Sequence, residues 1–107
     1  MHGKTPTIGV LIGINQVLMD VTAGIIEGPI GLKPQWEEQI GLVNRLIKPN
    51  TILVANIHDP GGNGMPHMQA VRVDPAGGQA TIVIRNIATD PTEQVDQRYS
   101  VSWAIFN

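Results

Sequence analysis

The clearest signal in the chain is the alternation of its last stretch. In residues 99–106 one parity reads Tyr99, Val101, Trp103 and Ile105, and the other reads Ser100, Ser102, Ala104 and Phe106. Large side chains on one side and mostly small ones on the other are the period-2 pattern of a half-buried β-strand. The aromatic and β-branched content suits a pleated surface. Residues 79–87 (QATIVIRNI) alternate too, with Ala80, Ile82 and Ile84 on one side and Thr81, Val83 and Arg85 on the other. Just before them stands Asp74-Pro75-Ala76-Gly77-Gly78. There proline fixes φ and the glycines supply φ > 0, so residues 68–73 and 79–87 are predicted to form a hairpin.

Residues 51–58 (TILVANIH) are apolar on both parities, which predicts a central strand or one covered on both faces. Residues 35–47 admit two readings. Trp36, Ile40, Val43 and Ile47 fall at the offsets of an amphipathic helix. Gly41 and Asn44 weaken a helix, and a strand over 39–47 is preferred. Ile8–Ile14 and Val17–Ile26 are extended apolar segments, either strands or an arm. Asp-Pro steps at 59–60, 74–75 and 90–91 are expected at strand ends, where proline stops a ladder.

Short strands with turns every 8–12 residues predict an all-β fold, a small antiparallel β-sandwich or jelly roll with an extended N-terminal arm. The texture changes near residue 35. Residues 1–35 carry Gly3, Gly9, Gly13, Gly24, Gly28 and Gly31 with Pro6, Pro29 and Pro34, and read as an extended arm or first strands. Residues 36–107 read as the β-sandwich core.

Composition then narrows the function. Charged residues make up 15% of the 107 residues, against roughly 25% in an average soluble domain. With 42% hydrophobic residues the chain is short of charge rather than rich in apolar groups. A small domain of this kind leaves neutral or apolar surface of the sort that interfaces use. The net charge is −2 and the Lys and Arg residues are scattered, so a phosphate-tracking nucleic-acid surface is not expected. The apolar N-terminal run is interrupted by Gly9, Gly13, Asn15 and Gln16, and no small-residue cleavage site follows, so no signal peptide is expected. No stretch reaches the roughly 20 apolar residues of a membrane helix. Cysteine is absent, which rules out disulfides and thiolate metal sites.

The residues offer little for catalysis. Ser100 and Ser102 are in a strand with no nucleophile-elbow motif. His58, Asp59 and His67 bracket a glycine-rich loop, but the histidines are nine positions apart, and neither a metal nor a cofactor is expected. Glu37 and Glu38 are adjacent and point apart on a strand, and Glu93 and Asp96 sit in a loop. All four read as solvated. Trp36, Tyr99 and Trp103 could stack on a sugar, although core packing is preferred for the tryptophans.

From the TILVANI strand through AVRVDPAGGQATIVIRNI to the terminal SVSWAIFN, residues 51–107 resemble the C-terminal portion of small β-sandwich structural proteins of tailed bacteriophages. The motifs are a strand ending in Arg85-Asn86, a loop and a final aromatic-rich strand. The resemblance implies a capsid decoration, or cement, protein. Such a protein would be a homo-oligomer, trimer or dimer, seated on the major capsid protein at the virion surface after synthesis in the bacterial host cytoplasm. It would have no enzyme activity. An alternative is a carbohydrate- or receptor-binding module. On the decoration reading the contact residues are apolar ones of the arm: Ile8, Val10, Ile12, Ile14, Val17 and Met19.

Overall fold

The computed structural model describes residues 22–107, together with the backbone of two short strands before them. The strands are β1 (Val10–Leu11), β2 (Gln16–Leu18), β3 (Ala23–Glu27), β4 (Glu37–Val43), β5 (Ile52–His58), β6 (Pro66–Val73), β7 (Gln79–Asn86) and β8 (Ser100–Phe106). The described residues contain no helix. In the first sheet β4, β7 and β6 pair antiparallel in that order. β1 and β2 lie along the other side of β4 and run parallel to it. The second sheet is antiparallel, in the order β3-β8-β5.

The inner faces of the two sheets make the core. Ile40 and Leu42 of β4 with Ala80, Ile82 and Ile84 of β7 meet Ile26 of β3 and Val101, Trp103 and Ile105 of β8. Each fully buried aliphatic side chain contributes about 1.5–3 kcal/mol. The expected alternation of β8 is present: Tyr99, Val101, Trp103 and Ile105 are all buried. The β6–β7 hairpin also forms as expected. Its turn is closed by Asp74, whose Oδ1 accepts from the Ala76 amide at 2.8 Å. Gly77 and Gly78 take positive φ there.

Three expectations are corrected. The strand expected over 39–47 spans Glu37–Val43 and stops at Asn44. The Asn44 Oδ1 accepts from the Leu46 amide at 2.9 Å, so a side-chain turn replaces the ladder, and Ile47 enters the core from that turn. β5 is an edge strand and not a central one. Its Leu53, Ala55 and Ile57 face the core, while Ile52 and Val54 lie in the open. Its two-sided apolar pattern therefore records one buried face and one exposed apolar face. The third Asp-Pro step, 90–91, is inside the 87–99 connection rather than at a strand end. There Asp90 Oδ1 accepts from the amide and the hydroxyl of Thr92 at 2.9 and 2.8 Å.

Candidate functional site

The register of the second sheet shows what its outer face presents. Ile25 of β3 pairs with Ser102 of β8, which pairs with Asn56 of β5; Ala23, Ala104 and Val54 form the next row, and Phe106 pairs with Ile52 beyond it. Alternation puts all of these on one face. Ile25 is 69% exposed, Ile52 63%, Phe106 57% and Val54 48%. Among the described residues, four of the seven exposed large apolar side chains are thus on one sheet face, whose only carboxylate is Glu27. A groove of about 200 Å³ runs along it, lined by Val54, Asn56, Ser102, Trp103 and Ala104.

At the end of this face His58 Nε2 and Ser102 Oγ stand 3.1 Å apart. β5 and β8 bring together a serine and a histidine that are 44 residues apart in sequence, a pairing that strand parity alone does not reveal. A nucleophilic serine also needs its histidine oriented by a third group. Among the described residues no carboxylate bonds to this ring; Asp59 Oδ1 instead accepts from the Gly61 amide at 2.9 Å.

The outer face of the first sheet carries a polar cluster around Glu37. Glu37 Oε1 accepts from Gln69 Nε2 at 2.6 Å and from Arg85 Nη2 at 3.2 Å. Gln69 is the extra residue of a β-bulge, where the register shifts between Met68 and Ala70. The Gln69 hydrogen bond, aided by Arg85, holds the Glu37 carboxyl below its ordinary value.

Glu37 and Glu38 do point apart, but Glu38 is not solvated. It projects into the core at 0% exposure. The Tyr99 hydroxyl donates to its Oε1, and Oε2 has no hydrogen-bond partner. Burial raises the Glu38 pKa to about 7 and pushes the Tyr99 phenol up as well. A second buried polar group, Asn86, ends β7. Its Nδ2 donates to the carbonyls of Leu32 at 3.0 Å and Glu93 at 2.9 Å. Its Oδ1 accepts from the amides of Met65 at 3.0 Å and Ala88 at 3.1 Å. One side chain therefore ties three connections to one end of the sandwich.

His58 and His67 are not brought into one site. His67 pairs with Arg85 across the first sheet, and no group of three or more potential metal ligands converges among the described residues. The rings considered for sugar stacking are divided: Tyr99 and Trp103 are in the core, and Trp36 is half-buried with Lys33 Nζ 5.0 Å from its centroid. Of the arm residues, Ile8, Ile12, Ile14 and Met19 lie outside the described residues. Val10 and Val17 are in β1 and β2, whose backbones pair with Glu37 and Leu42 of β4. No family model, curated protein or solved structure matches this chain.

Proposed function

We propose that this chain is a non-enzymatic structural protein that works by packing against other protein surfaces, and that it decorates and stabilises a bacteriophage capsid. The observation that carries the packing reading is the outer face of the second sheet, where Ile25, Ile52, Val54 and Phe106 are exposed together. Contiguous exposed apolar surface is the usual mark of a protein contact. The low charge of the whole sequence supports the same reading. The capsid assignment draws on the resemblance of residues 51–107 to phage structural proteins. It brings the major capsid protein as partner and the virion surface as location. The apolar residues at positions 8–19 are proposed as a second contact.

The carbohydrate- or receptor-binding reading draws on the groove beside His58 and Ser102, a depression with both apolar and hydroxyl lining. It is the weaker of the two, because Tyr99 and Trp103 are buried and cannot stack on a sugar. The deciding experiment is co-sedimentation of the purified chain with phage capsid shells from the same source. Wild type should pellet with the shells, and Phe106→Asp should remain in the supernatant. Failure of the wild type to pellet would remove the decoration reading.

A further inference from the structure

We propose that β5 is a pairing edge through which two copies of this chain join antiparallel, merging their second sheets into one continuous six-stranded sheet. This rests on the packing reading above and names one partner for it, a second copy.

The geometry begins with the hydrogen-bond directions. The Ile105 amide donates to the Thr22 carbonyl at 2.8 Å, and the Tyr99 carbonyl accepts from the Gly28 amide at 2.7 Å. The odd residues of β8 therefore point their backbone groups toward β3, and the even ones toward β5. Ala104 faces Val54, Ser102 faces Asn56, and so on down the ladder. In β5 the residues that point away from β8 are then Leu53, Ala55 and Ile57. No backbone hydrogen bond outside the β8 ladder involves residues 52–58 among the described residues. No residue of β5 is fully buried.

The edge strands β6 and β3 carry the usual defences against strand addition, and β5 carries none. β6 begins with Pro66, is bulged at Gln69 and bears Arg72. β3 is five residues long, contains Gly24, and ends in Glu27 just before Pro29. β5 is seven residues long, with no Lys, Arg, Asp, Glu, Pro or Gly and no bulge.

The occupant follows from symmetry and charge. An antiparallel pair about a two-fold axis at Ala55 sets Ala55 against Ala55 of the second copy and Leu53 against its Ile57. These are the residues whose backbone groups point outward, so donors meet acceptors throughout. Parity is kept, and the half-buried Leu53 and Ile57 gain apolar neighbours at the seam. An uncharged strand meets its own copy without like-charge repulsion. The outer-face residues Ile52 and Val54 of both copies then lie in one surface, which makes the apolar face of each copy continuous with that of the other.

The test is the mass in solution of wild type, Ala55→Pro and Val54→Lys, with circular dichroism to show that each is folded. Ala55→Pro removes an outward-pointing amide and leaves the β8 ladder its donors. Val54→Lys puts a charge on the exposed face of the edge. Wild type should show twice the 11.5 kDa of one chain, and both variants the single mass. Amide exchange at Leu53, Ala55 and Ile57 should slow in wild type as concentration rises. An oligomer that survives both substitutions, or whose amides at 53, 55 and 57 stay unprotected, overturns β5 pairing and leaves the packing reading standing. A monomeric wild type also overturns it, including one whose β5 is protected only by an added foreign peptide. If Ala55→Pro fails to fold, the exchange data at Leu53, Ala55 and Ile57 decide.

Discussion

At Glu38 a single carboxyl couples the core to pH. Its pKa is about 7 in the folded chain, above the ordinary 4.5, and desolvation is the main cause. The folded state thus holds its proton more tightly than the unfolded state does. Stability from this group is complete below about pH 4.5, falls between 4.5 and 7, and is lost above 7. A gap of this size corresponds to about 3 kcal/mol between the two limits. Glu37, whose pKa is lowered, works in the opposite sense and loses its contribution as pH falls. Urea unfolding at pH 5 and pH 8 should therefore show the wild type more stable at pH 5. Glu38→Gln should remove most of that difference; an unchanged pH profile would contradict the assignment. Asn86 supports a second prediction at this scale. Its amide satisfies four backbone groups at a fully buried position. Asn86→Ala leaves them unpaired and should lower unfolding stability by about 3 kcal/mol, since each stranded buried group costs roughly 1–3 kcal/mol before relaxation.

Glycines place the elements that these residues join. A side chain at Gly28 would overlap the ring of Tyr99, so the connection after β3 can pass over Tyr99 only as glycine. Gly28→Ala must displace either the ring or the strand, and thermal unfolding should show a loss of about 3 kcal/mol. Gly78 provides the contrast. Its φ is +85° with nothing near its missing Cβ, so Gly78→Ala should cost only the conformational term, about 1 kcal/mol. This scale also shows what was legible in the sequence. β8 and the β6–β7 hairpin could be read directly, because one face of each strand is buried and the turn between β6 and β7 carries proline and glycine. The sequence of β5 is ambiguous, because a strand with an exposed apolar face has the same pattern as one covered on both sides. Only the strand order separates the two. Glu38 was missed for a related reason. Parity puts it on the face of Ile40 and Leu42, but its partner Tyr99 is 61 residues away in another sheet. The candidate face was the least legible part, since its apolar residues come from three strands whose order the sequence does not state.

For the molecule as a whole, the face and the edge of the second sheet are separable. Ile25 is on β3, at the opposite side of the sheet from the free edge of β5. Ile52 is on β5, but its backbone groups point inward to β8, where it pairs with Phe106. Threonine in place of either keeps a β-branched residue on the strand and removes apolar area from the surface. Because both side chains are mostly exposed, the double variant Ile25→Thr/Ile52→Thr should stay within about 1 kcal/mol of wild-type stability. It should nevertheless lose capsid co-sedimentation, because the apolar patch is broken at two corners. Its mass in solution should remain that of the wild type, because neither substitution removes a donor or acceptor from the edge. A variant that still pellets with shells would place the capsid contact elsewhere, with the segment at positions 8–19 the next to test by deletion. A variant that becomes monomeric would show that the face, and not the β5 backbone, holds the copies together.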